Sequence, residues 1–153
     1  MINLIDEKDI KILEVLEENS NLSTHKISKK TSIPITTVNN RIKKLKKEHI
    51  IKKFTIEADK VKLGYSLSAY ILILVSLEEL KRHGMKTKDL LNQIKKSSFV
   101  ESADTVSGDV DIIVKLHAVG INELNDYVVN VLSDYKGVEK TKTCLLLSNV
   151  NKD

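Results

Sequence analysis

Between Pro34 and His49 the apolar residues Val38, Ile42 and Leu45 recur at i, i+4 and i+7. On a helix with that stripe buried, Thr36, Asn40, Lys43 and Lys47 lie on the opposite side, flanked by Thr37, Asn39 and Lys44. The outward groups change along the chain, Thr and Asn early and Lys late. An Asn amide donates and accepts at once and so matches an adenine edge, while Thr offers a hydroxyl to bases and a methyl to thymine. Lys neutralises phosphate without reading sequence. That order suits a helix whose first turns meet base edges in a DNA groove and whose later turns leave along the backbone. An amphipathic helix with a plain polar outside would show the same stripe. The turn before it, the charge around it and the polarity gradient are what favour nucleic acid.

The elements that must position this face are legible upstream. Asp6 suits a helix start, accepting from the N–H three residues on, with Glu7 and Asp9 in the first turn. Ile10, Leu13 and Leu16, with Ile12 on the flank, predict its buried stripe, and Glu17–Asn21 ends it. Ser23 or Thr24 can cap a second, short helix to about Lys30, anchored by Leu22 and Ile27. Thr31-Ser32-Ile33-Pro34 is a turn, and Pro34 fits a helix start but not a helix interior. Residues 1–50 are therefore expected to form a helix-turn-helix. Thr36, Thr37, Asn39 and Asn40 are the candidate base readers, and Thr24, His25, Arg41, Lys43, Lys44 and Lys47 the candidate phosphate contacts on double-stranded DNA.

Charge is distributed to match. Of the 153 residues, the first 64 carry 14 basic and 9 acidic side chains, and the remainder 11 and 12. Ser23–Lys53 alone holds 10 basic residues against one acid, Glu48. Such a block repels itself, and an anionic partner would offset that cost. The whole chain, 41% hydrophobic and 30% charged, has the composition of a folded protein. No apolar run approaches the roughly 18 residues of a membrane span. The first residues, with acids where an apolar region should be, do not read as a signal peptide, so a cytoplasmic protein without membrane contact is expected. One cysteine, Cys144, excludes an intramolecular disulfide and a Cys-rich zinc site, and is expected as a core thiol within a strand. The four histidines form no i, i+4 pair, and no phosphate-loop, dinucleotide or nucleophile-elbow motif is present. No cofactor or metal is expected.

Residues 51–64 are expected to be a β-strand connector, because Ile50-Ile51-Lys52-Lys53-Phe54-Thr55-Ile56 is β-prone and a Leu63-Gly64-Tyr65 turn follows. Beyond it, Ser68–Leu77 alternates as a strand and Thr87 caps a helix carrying Leu90, Leu91 and Ile94. Phe99–Ser107 and Asp111–Leu116 read as strands around a Gly108-Asp109-Val110 turn. Ile121, Leu124, Val128, Val131 and Leu132 mark a second helix, closed by Gly137, and Val138–Leu147 is the last strand. The order βαββαβ makes residues 65–153 a ferredoxin-like domain and the whole chain α+β. Helices cover one face of such a sheet only, yet the first strand is apolar on both. The bare face is expected to stack on a second chain in a two-fold homodimer.

Leu4-Ile5-Asp6, Ile33 through Leu45, Ile50-Ile51, Phe54-Thr55-Ile56, Leu63-Gly64-Tyr65, Ser107-Gly108-Asp109-Val110-Asp111 and Gly137-Val138 occur in one order over nearly the whole chain. In this the sequence resembles the Lrp/AsnC (feast/famine, leucine-responsive) family of transcription regulators, archaeal type. It departs at Pro34, where a capping Ser is usual, and at Val110, where a Tyr is usual. The resemblance implies a winged-type helix-turn-helix reader joined to an effector-sensing ferredoxin-like domain. It also implies dimers, often assembled into tetramers or octamers. Family effectors are amino acids or related small molecules, which puts effector contact on Gly108, Asp109 and Asp111 and extends it to Thr105 and Ser107. The same residues also read as a hairpin turn with surface acids. Two other readings stay open beside a non-enzymatic regulator. One is an enzyme like the siroheme decarboxylases that share this plan. The other is an amino-acid sensor acting on a protein partner.

Overall fold

The computed structural model describes residues 5–147, and the chain divides into two compact units, residues 1–57 and 58–153. The first unit holds α1 (Glu7–Glu18), α2 (Thr24–Thr31) and α3 (Ile35–Lys47) and, among the described residues, no strand. Asp6 caps α1 as the sequence predicts. Its carboxylate accepts from the N–H groups of Lys8 and Asp9 at 3.0 and 3.1 Å, and the Asp9 carboxylate accepts from the Asp6 N–H at 3.1 Å. Ser23, not Thr24, caps α2. The buried stripe of α1 differs from the expected one. It is Asp9, Ile12 and Leu16, while Ile10 is exposed and Leu13 half-buried. Ile12, Leu16, Ile27, Ile33 and Val38 make the core of this unit.

The strand expected over 51–64 does not form. Ile50 and Ile51 instead donate their N–H groups to the Leu45 carbonyl at 2.9 and 3.1 Å, folding the chain back on the end of α3. The Ser20 hydroxyl donates to the Thr55 carbonyl at 3.3 Å, and the Lys46 ammonium lies 4.6 Å from the Phe54 ring centroid. β-prone residues need a neighbouring strand to pair with, and among the described residues of this unit there is none.

The second unit is a four-stranded antiparallel sheet in the order β2-β3-β1-β4. The strands are β1 (Leu67–Val75), β2 (Val100–Thr105), β3 (Ile112–Ala118) and β4 (Val138–Leu145). Between them run α4 (Leu77–Arg82), α5 (Thr87–Ile94) and α6 (Ile121–Asp126), the last continuing as a π-helical segment, Tyr127–Leu132. This is the split βαβ plan, with α4 an addition to the expected elements. β1 stops at Val75 because the Ser76 hydroxyl accepts from the Glu79 N–H at 3.2 Å and starts a helix in which Leu77 is exposed. Ala69, Ile71, Ile73 and Val75 are buried with Leu80, Leu90, Ile94, Leu124, Val128 and Leu132. Ile121 and Val131, expected inside, are exposed. Gly137 closes the turn into β4 at φ 92° rather than capping the helix, whose own C-cap is Ser133.

The other face of the sheet is less buried, with Tyr70 exposed and Leu72 and Leu74 half-buried. On it lie Tyr70, Leu72 and Leu74 of β1, with Ile113 and Lys115 of β3 and Cys144, Lys142 and Lys140 of β4 opposite them in register. Cys144 is half-buried there, not a core thiol. His117, almost fully buried, receives or gives a hydrogen bond at Ser68 Oγ, 2.8 Å from Nδ1, and meets Glu101 through Nε2. Burial alone would raise the Glu101 pKa. Hydrogen bonds from Lys115 and His117 outweigh it and hold the carboxyl below its ordinary value.

Candidate nucleic-acid interface and effector turn

The turn between α2 and α3 is built by short side chains. The Ser28 hydroxyl donates to the Ile33 carbonyl at 2.6 Å and the Thr31 hydroxyl to the Ile27 carbonyl at 2.8 Å. Ser32 takes φ 57°, which reverses the chain, and buried Ile33 pins the turn to the core. Pro34 then sets φ −54° and supplies no side-chain cap, so the first turn of α3 keeps unbonded N–H groups. Val38 and Leu45 are fully buried and Ile42 half-buried, which fixes the helix face as the sequence predicts.

On the opposite side Thr36, Asn40, Lys43, Lys44 and Lys47 are exposed, and the flanking Thr37 and Asn39 are half-buried. On α2, His25 is exposed and Thr24 half-buried. The base-reading candidates thus share one side of α3 with the lysines C-terminal to them. Arg41, expected on a phosphate, is engaged elsewhere. Its Nη1 lies 2.8 Å from Asp6 Oδ2 and 3.1 Å from Asp9 Oδ2, and it is half-buried against α1. The hydrogen bond from the Asp9 N–H, together with the Arg41 guanidinium, holds the Asp6 carboxyl below its ordinary range. The sequence places Asp9 in the first turn of α1 but does not foretell its burial or its pairing with Arg41. The residue sits at the i, i+3, i+7 spacing of Asp9, Ile12 and Leu16, but an acid on a stripe reads as surface.

The hairpin between β2 and β3 carries the effector candidates. Thr105, Ser107, Gly108 and Asp109 are exposed. Gly108 takes φ 137°, which a side chain would strain, though a Cβ there would meet nothing within 4 Å. Asp111 has a structural task. Its Oδ2 accepts from the Val75 N–H at 2.8 Å where the β1–β4 pairing shifts register, and its own N–H donates to the Ile73 carbonyl at 2.9 Å. Asp111→Ala is therefore expected to cost about 1–3 kcal/mol of stability by orphaning the Val75 N–H. Urea unfolding checks this, with Asp109→Ala as the near-neutral control.

Comparison with known proteins bears on both units. Residues 5–52 match the family model for winged helix-turn-helix DNA-binding, and residues 71–153 match the model for the Lrp/AsnC ligand binding domain. An HTH-type transcriptional regulator of Pyrococcus furiosus is 34% identical over 153 residues, spanning 100% of this chain and 99% of the relative. Among solved structures, a transcriptional regulator of Neisseria meningitidis in complex with L-Met superposes with TM-score 0.86 at 22% identity, over 97% of this chain and 93% of that one. Escherichia coli AsnC superposes with TM-score 0.81 at 23% identity, over 97% and 96%. Among the described residues no helix is long and apolar enough to cross a membrane. With a DNA-binding helix-turn-helix unit followed by a ligand-binding sheet unit, the chain belongs to the Lrp/AsnC family of transcription regulators.

Proposed function

We propose that the protein is a sequence-specific, homodimeric transcription regulator that reads double-stranded DNA through α3 and responds to an amino acid or related small molecule. The observation that carries this is the exposed side of α3, where Thr36 and Asn40 precede Lys43 and Lys47 on a helix held by a buried stripe. Thr36, Thr37, Asn39 and Asn40 contact bases, and Thr24, His25, Lys43, Lys44 and Lys47 contact phosphates. Arg41 leaves the phosphate set because its guanidinium already pairs two carboxylates. Asn40→Ala is expected to cost about 1–3 kcal/mol on a preferred duplex and little on a shuffled one. Lys43→Ala is expected to weaken both alike and lower the salt slope by about one. Fluorescence anisotropy titrations of both variants test the assignment, and equal losses on the two duplexes for Asn40→Ala would refute it.

The dimer forms through the bare sheet face. Tyr70, Leu72, Leu74 and Ile113 give it an apolar centre, Lys140 and Lys142 lie on its β4 edge, and Asp104 and Glu101 lie toward β2. A two-fold axis parallel to the strands sets each basic edge over the partner's acidic edge, a complementarity that favours the pair. Two such dimers can join into a tetramer, and four into an octamer, with the effector turns between dimers. The effector meets Gly108, Asp109, Thr105 and Ser107, and Asp111 contributes only what its bond to Val75 leaves free. The L-Met complex of the Neisseria regulator, which shares the fold, supports an amino acid as the ligand class. The protein works in the cytoplasm, beside its DNA. As an enzyme, or as a sensor for a protein partner alone, it would leave the basic side of α3 without a task.

A further inference from the structure

We infer that Arg41, clasped by Asp6 and Asp9, is the positioning residue that sets the roll of the recognition helix and so governs sequence discrimination rather than DNA affinity; this rests on the DNA-reading function proposed above. One nitrogen, Nη1, bridges both carboxylates, at 2.8 Å to Asp6 Oδ2 and 3.1 Å to Asp9 Oδ2. The carboxylates are themselves immobilised. Asp9 is 0% exposed and holds the Asp6 N–H, and Asp6 holds the N–H groups of Lys8 and Asp9, so the clasp is fixed to the first turn of α1. Asp9 Oδ1 is buried with no partner, so Arg41 is the counter-charge on which that carboxylate depends.

Arg41 stands next to Asn40 in sequence, on the flank of α3 between the buried stripe and the reading side. Apolar contacts from Val38 and Leu45 seat the helix but are tolerant of small rotations, whereas a bridged ion pair is directional. Side-chain atoms lie about 5–6 Å from a helix axis, so a roll of about 10° moves them by about 1 Å. That displacement takes an Asn–adenine pair out of hydrogen-bonding range. A lysine on a phosphate adapts to the same shift, because it acts as a flexible point charge. Loosening the clasp should therefore erode base reading and spare backbone attraction.

The test compares wild type, Arg41→Lys and the charge-neutral double variant Asp9→Asn/Arg41→Gln, which avoids stranding a buried carboxylate. Each is titrated into a duplex selected from a random pool and into its shuffled counterpart, over a salt series, after circular dichroism has shown the helices intact. The selected-to-shuffled affinity ratio of the double variant is expected to fall at least tenfold with the salt slope unchanged, and Arg41→Lys to recover part of the ratio. A slope lower by about one, with both duplexes weakened equally, would make Arg41 a phosphate contact and overturn the inference. A ratio unchanged from wild type would overturn it as well. If wild type itself fails to discriminate the two duplexes, the DNA-reading function falls, and the inference with it.

Discussion

Gly137→Ala is expected to destabilise the C-terminal unit by about 2–5 kcal/mol, from strained backbone and overpacking together. Gly137 takes φ 92°, where an L side chain is strained, and an added Cβ would stand 2.3 Å from Leu80 Cδ2 and 2.6 Å from Leu80 Cγ. Leu80 cannot yield easily. It is 1% exposed, on a helix whose start is fixed by the Ser76 cap, and the Ser76 N–H is itself bonded to the Gly137 carbonyl at 2.9 Å. Gly84→Ala is the matched control, with φ 65° but nothing within 4 Å of its Cβ, and is expected to lose only the backbone part, about 1 kcal/mol. Urea unfolding of the two variants separates the contributions. Equal losses would mean that the Leu80 contact carries no weight.

Leu72→Lys is expected to convert the proposed dimer to a monomer. Leu72 lies at the centre of the bare sheet face, opposite Ile113 on one side and Lys142 on the other. A second ammonium beside Lys142 adds like-charge repulsion and, once covered by the partner sheet, must be desolvated without a counter-ion. That costs about 3–5 kcal/mol per copy, and two copies face each other across a two-fold axis. At 1.4 kcal/mol per tenfold in affinity, the loss amounts to about four to seven orders of magnitude. Light scattering should report a mass falling to the 17.3 kDa of one chain. Binding to a two-half-site duplex should fall with it, while circular dichroism stays that of the folded chain. A variant that remains dimeric would move the interface to another surface.

Much of this fold is legible in the sequence where one face is buried and the caps are local. Asp6, the Ser32–Pro34 turn, the Val38/Leu45 stripe and the alternation of Ala69, Ile71, Ile73 and Val75 all follow from residue type and spacing. The departures have tertiary causes. Asp9 replaces Ile10 on the inner side of α1 because Arg41, 32 residues away, pairs with it. α4 was hidden in an apolar run that reads as continuing β1, although Ser76 with Glu79 three residues on is a helix-start signal. The β-prone run over residues 50–56 has no strand beside it among the described residues of the first unit, and a preference for strands expresses itself only in a ladder. Within the site, the lysine side of α3 is readable from the 3.6-residue period. The engagement of Arg41 and the structural bond of Asp111 are not, since each depends on a partner distant in sequence.

We propose that α3 reads DNA sequence as one half of a two-fold pair. In vitro selection from a random duplex pool by the immobilised full-length chain tests it most directly. The expected result is convergence on a pseudo-palindromic site whose half-sites are centred about 10 base pairs, or about 34 Å, apart or a multiple of that, with discrimination that survives added salt. Retention of DNA round after round with no sequence enriched, and with binding erased by salt, would contradict it.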